Sequence, residues 1–88
     1  MNRISTVAEL SFPVVPPLTF LGRDVALPRA ELGDVVTLTE PLQRPAGVTY
    51  FSYVPEAGTV RVCCRNHTVG LIAVPARSYG VTIEKDAG

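Results

Sequence analysis

The residues best suited to chemistry in this chain are Cys63, Cys64 and His67, which fall together in "TVRVCCRNHTVG" (59–70). A thiol beside an imidazole is the pair that nucleophilic catalysis needs, because the ring nitrogen can take the thiol proton. The run alternates as a strand, however, and at about 3.3 Å per residue separations of three and four positions place the groups roughly 10 to 13 Å apart. Proton transfer requires hydrogen-bond contact, so the spacing speaks against a catalytic pair. His67 is the sole histidine, which leaves no histidine pair for zinc; it is expected as an exposed turn residue just after a strand. Adjacent cysteines on a strand point to opposite faces, and a disulfide between neighbours strains the peptide it closes. Two free thiols are expected, one turned inward as a small hydrophobe, with an intermolecular disulfide through the outward one as the alternative.

"NHT" (66–68) matches an N-glycosylation sequon but reads as a turn, with Asn66 tolerating the left-handed region and Thr68 available to bond backbone. The carboxylates Glu9, Asp24, Glu31, Asp34, Glu40, Glu56, Glu84 and Asp86 are scattered singly. They form neither a calcium loop nor a catalytic pair and are expected as solvated loop and edge charges. The glycines never form a phosphate-cradling loop. These residues therefore predict no enzyme, no metal site and no cofactor.

Eight basic and eight acidic residues cancel, and neither sign clusters. Nucleic acid and anionic membranes both require grouped Lys and Arg, so neither is expected as a partner. The apolar runs are far shorter than the roughly 18 residues that cross a bilayer. "MNRISTVAEL" (1–10) lacks the apolar core of a secretory signal, which predicts synthesis in the cytoplasm.

Eight prolines and seven glycines punctuate the 88 residues, and no long window keeps apolar residues at helical spacing. Between the breaks lie "TVAELSF" (6–12), "LTFLGRDVAL" (18–27), "DVVTLT" (34–39), "VTYFSYV" (48–54), "TVRVCCRN" (59–66) and "SYGVTIEK" (78–85). Short β-branched and aromatic runs at this spacing predict one all-β domain over residues 1–88, a small antiparallel β-sandwich or partly open barrel of six or seven strands. "PVVPP" (13–17) is expected as a corner between sheets or an extended arm, because its prolines remove donors. "RPAG" (44–47) and "PEAG" (55–58) are expected as reversals. "PRAEL" (28–32) is the one stretch that could hold a short helical turn, and residues 86–88 are expected to fray.

The run "VTYFSYV" carries bulky apolar side chains on both faces: Val48, Tyr50 and Val54 on one, Phe51 and Tyr53 on the other. If five residues, 55–59, form the loop, Val54 faces Val60 and the core receives Val48, Tyr50, Val54, Val60, Val62 and Cys64. Phe51, Tyr53, Arg61, Cys63 and Arg65 then lie outside together. A four-residue loop exchanges the faces of the first strand. Aromatic residues beside Arg are the composition enriched at protein interfaces, so Phe51, Tyr53, Arg61, Cys63 and Arg65 are the candidate interface.

The runs "ELGDVVTL" and "PAGVTYFSYVPEAGTVRVCCRNHTVGLIAVPARSYGVTI" resemble a β-rich module of tailed-phage virion proteins. In that module a Gly-Asp turn precedes a "P-x-G" strand ending in aromatic-Val, a strand beginning "T-V" and running into "N-x-T", and a closing "Y/F-x-V" strand. Gly33, Asp34, Gly47, Tyr53, Val54, Thr59, Val60, Val62, Asn66, Thr68, Ile72 and Val81 hold the matching positions, and none of them is catalytic. The departures are Pro55, Gly58, Cys63, Cys64 and Pro75. The resemblance implies a capsid decoration or cement protein on the exterior of a virion. Its implied partners are the major capsid protein or other virion proteins, with further copies of itself as a dimer or trimer. A tail, neck or head-fibre component at low copy number is the alternative. A carbohydrate-binding module is a third, and would need aromatic platforms and carboxylates on one concave face.

Overall fold

The computed structural model of the chain describes residues 2–40 and 46–85. Six strands follow one another: β1 (Asn2–Val15), β2 (Phe20–Ala26), β3 (Val35–Thr39), β4 (Val48–Glu56), β5 (Thr59–Asn66) and β6 (Ile72–Lys85). They form two three-stranded antiparallel sheets, β1-β6-β3 and β2-β5-β4. The molecule is a small β-sandwich and not a closed barrel, and no helix occurs among the described residues. The expected frayed tail at 86–88 lies outside those residues, as do Arg44 and Pro45 of the "RPAG" reversal.

Alternation along each strand builds the core. Ile4, Val36 and Ile83 form one inward row of the first sheet, and Val81 stands beside Leu38 in the next. The second sheet answers with Val25, Val48, Val54, Val60, Val62 and Cys64, all buried. At the centre Phe12, Tyr50 and Tyr79 pack with centroids 5.5 to 6.2 Å apart. A tyrosine needs a partner for its hydroxyl when buried, and here Tyr79 donates to the Tyr50 hydroxyl at 3.2 Å.

The prolines sit where a strand can lose a donor. Residues 75 and 76 of β6 stand opposite Ser11 alone, and 13 and 14 of β1 stand opposite Ala73 alone, so Pro75 and Pro13 both occupy bulges. β6 is the central strand, but β3 pairs only with its residues 80–84, so Pro75 has a neighbour on one side only. "PVVPP" thus begins as an irregular edge strand and ends as the corner that carries the chain into the second sheet. "PRAEL" makes no helix: Ala30 N–H donates to the Leu27 carbonyl, and Asp34 caps the Glu31 N–H at 2.9 Å. This turn docks on the β4–β5 hairpin through Leu27 N–H to the Gly58 carbonyl and Gly58 N–H to that of Ala30. Gly58 has a φ of +86°, a left-handed conformation that a side chain would strain.

β4 and β5 pair with Tyr53 opposite Arg61 and Ser52 opposite Val62, the register that sets Val54 toward Val60. The turn itself spans only Ala57 and Gly58, and the additional residue is absorbed where Val54 and Pro55 oppose Val60. Of the two loop lengths considered, the five-residue one is found, built as a bulge followed by a two-residue turn, and it sets Phe51 and Tyr53 outward.

Candidate interaction surface

Because β2 is the other neighbour of β5, the outer face of the second sheet is nine residues in three rows: Phe20, Arg65 and Thr49; Gly22, Cys63 and Phe51; Asp24, Arg61 and Tyr53. All five sequence-predicted interface residues lie here. Phe20, Gly22 and Asp24 were missed, because nothing local indicates that β2 passes over β3 and β4 to pair with β5. Their alternation in "FLGRD" was the available signal.

Three rings dominate the face. Phe51 and Tyr53, two residues apart on β4, lie nearly parallel at 7° with centroids 6.4 Å apart, and Phe20 meets Phe51 edge-on at 5.5 Å. Phe20, Phe51 and Tyr53 remain 46%, 37% and 42% exposed. The Arg65 guanidinium lies 5.9 Å from the Phe20 ring centre, a cation–π arrangement. Arg61 grips Asp24 through Nε at 2.8 Å. That hydrogen bond holds the Asp24 carboxyl below its ordinary value and pushes the Arg61 guanidinium up, so both stay charged.

Cys63 occupies the middle of the face and yet is fully buried. It stands between Gly22 and Phe51 across the sheet and between Arg61 and Arg65 along β5. A Cβ at Gly22 would come within 3.3 Å of both the Arg61 stem and the Cys63 sulfur, so glycine lets the arginine stem lie close over the strand. The alternative of an intermolecular disulfide through the outward cysteine is disfavoured: Cys63 points outward, but its neighbours cover it. Burial pushes both thiols up, which keeps them protonated, and both are free.

At one end of the face His67 is exposed, as expected, and shares a 2.7 Å hydrogen bond with Thr49. Asn66 departs from expectation. It is fully buried and its φ is not positive. Its amide donates to the carbonyls of Val15 and Gly70 at 3.0 and 2.7 Å and accepts from Thr68 N–H and hydroxyl at 2.8 and 2.7 Å. "NHT" is a clamp that ties β5 to the end of β1 and to the loop before β6. Along β2, Phe20, Gly22, Arg23 and Asp24 line an open groove of about 510 Å³ with Tyr53 and Arg61.

The face sets three half-exposed aromatic rings on its outer strands beside two guanidinium groups on its central one, a composition that suits binding. Among the described residues no three His, Cys, Asp or Glu side chains converge as metal ligands. Compared with known proteins, the chain matches no family model, no curated protein and no solved structure.

Proposed function

We propose that this chain is a non-enzymatic structural protein that docks on a protein partner through the outer face of β2, β5 and β4. The observation that carries this reading is the trio Phe20, Phe51 and Tyr53, half exposed side by side and flanked by Arg61 and Arg65. Clustered aromatics beside arginine are the usual centre of a protein interface, where desolvation makes each contact count. The resemblance to a tailed-phage virion module supplies the setting: a decoration or cement protein on the capsid exterior, binding the major capsid protein. Copy number tests the setting. Hundreds of copies per purified particle support capsid decoration, a handful moves the chain to the tail, neck or a head fibre, and absence from particles ends the virion reading. Replacing Phe51 and Tyr53 with Ser tests the face, since retained particle occupancy by that folded variant rules out docking through it.

A second reading draws on the groove. The sequence scatters its carboxylates, but the fold brings Asp24 beside Tyr53 and Arg61, and an aromatic wall with adjacent polar groups can stack and hydrogen-bond a sugar ring. Saturable binding on a glycan array, lost in Asp24→Ala, would favour it over protein docking.

A further inference from the structure

We infer that the free edge of β1 is a pairing site for a second copy of this chain, joined antiparallel about a two-fold axis at Thr6. β1 is the outer strand of its sheet. Its residues 2–10 pair with β6 in one unbroken register, ending at the bulge after Leu10. This stretch contains no proline or lysine, residues with which natural edge strands discourage pairing. The other edges are shorter or guarded: β3 has five residues and β2 seven, and β4 has Pro55 in its bulge. Past the bulge, β1 itself is guarded, because Arg23 Nε donates to the Ser11 carbonyl at 2.9 Å.

The unguarded segment is self-complementary. Its midpoint is Thr6, and folding the strand back on a copy about that residue sets Arg3 opposite Glu9 of the second copy, and Glu9 opposite its Arg3. Ser5 then meets Val7, and Ile4 meets Ala8, each on its own face, since directly opposed residues share a face. Arg3 is engaged only at the surface, to Glu84 at 3.0 Å, and Glu9 makes no ion pair or hydrogen bond within the described residues. Val7, 72% exposed, would be shielded at the seam. The product is one continuous six-stranded sheet with an isologous interface. It lies in the sheet opposite the aromatic face, so it stands or falls separately from the docking reading.

Sedimentation equilibrium of the full chain at low salt tests the pairing, with circular dichroism verifying the fold of each variant. Wild type is expected to dimerise. Arg3→Glu alone and Glu9→Arg alone each place like charges at both ends of the seam and should dimerise roughly tenfold more weakly. Mixing the two variants restores opposite charges at both ends, so a heterodimer of near wild-type affinity is expected. Thr6→Cys should form a disulfide-linked dimer on mild oxidation, because the dyad brings the two residues within bridging distance. A wild type that stays monomeric to about 1 mM, a threshold for weak association, overturns the proposal. So does a dimer that ignores the charge swaps, or one that mixing the two variants fails to restore.

Discussion

The two outer faces of this sandwich differ in kind. On the first sheet the rows read Arg3, Glu84 and Val35; Ser5, Thr82 and Thr37; Val7, Gly80 and Thr39. Ser5 and Thr82 share a 2.9 Å hydrogen bond, and Arg3 pairs with Glu84. This is an ordinary solvated β surface, rich in small polar and β-branched side chains. On the second sheet the same number of positions holds three aromatic rings, two arginines and a covered thiol. Both sheets bury their inner faces against the same core, so the fold does not require an aromatic exterior. The difference teaches that the aromatic side chains of the second face answer no demand of the core, which is what the docking proposal rests on.

The comparison can be attacked first at the support both faces share. Asn66→Ala strands the Val15 carbonyl and the Thr68 N–H and removes one of two donors from the Gly70 carbonyl, and should cost about 3 kcal/mol of stability by urea unfolding. Near-neutrality would mean that the clamp does not hold the sheets. The aromatic face itself comes next. Phe51→Ser with Tyr53→Ser should weaken partner binding on the order of 100-fold while shifting the unfolding free energy little, because both side chains stand outside the core. If stability collapses instead, the rings serve the fold and the contrast between faces disappears.

A smaller effect should come from the core between the faces. Burial raises the Tyr50 and Tyr79 phenols and both thiols above their ordinary values. Groups raised in the folded state contribute fully below their unfolded pKa, and the unfolded chain ionises first as pH rises. Urea midpoints should therefore hold at neutral pH, decline from about pH 9 with the thiols and steepen above about pH 10 with the tyrosines. Tyr50→Phe should lose about 1 kcal/mol at neutral pH and flatten the steeper part. The smallest effect is expected on the polar face, where Thr37→Ser should change stability by less than about 0.5 kcal/mol and partner binding not at all.

Much of this was legible in the residues. Proline and glycine punctuation gave the strands, and the alternation of β4 against β5 narrowed the register to two, one of which sets Phe51 and Tyr53 outward. What stayed hidden depends on contacts between distant parts of the chain. Phe20 and Asp24 join the face only because β2 pairs across an intervening pair of strands. Asn66 looked like a turn residue because its partner Val15 lies far back in the sequence. Cys63 looked exposed because strand parity tells which way a side chain points but not what leans over it. The extra residue near Pro55 was visible as an ambiguity of loop length, and only the bulge reconciles it with the pairing.

On the proposed reading that a phage encodes this chain, the most direct test is to count it on purified particles, comparing wild type with the Phe51→Ser, Tyr53→Ser variant by quantitative mass spectrometry. The account expects hundreds of wild-type copies per particle and almost none of the folded variant. Equal occupancy by the two, or no copies of either, would contradict it.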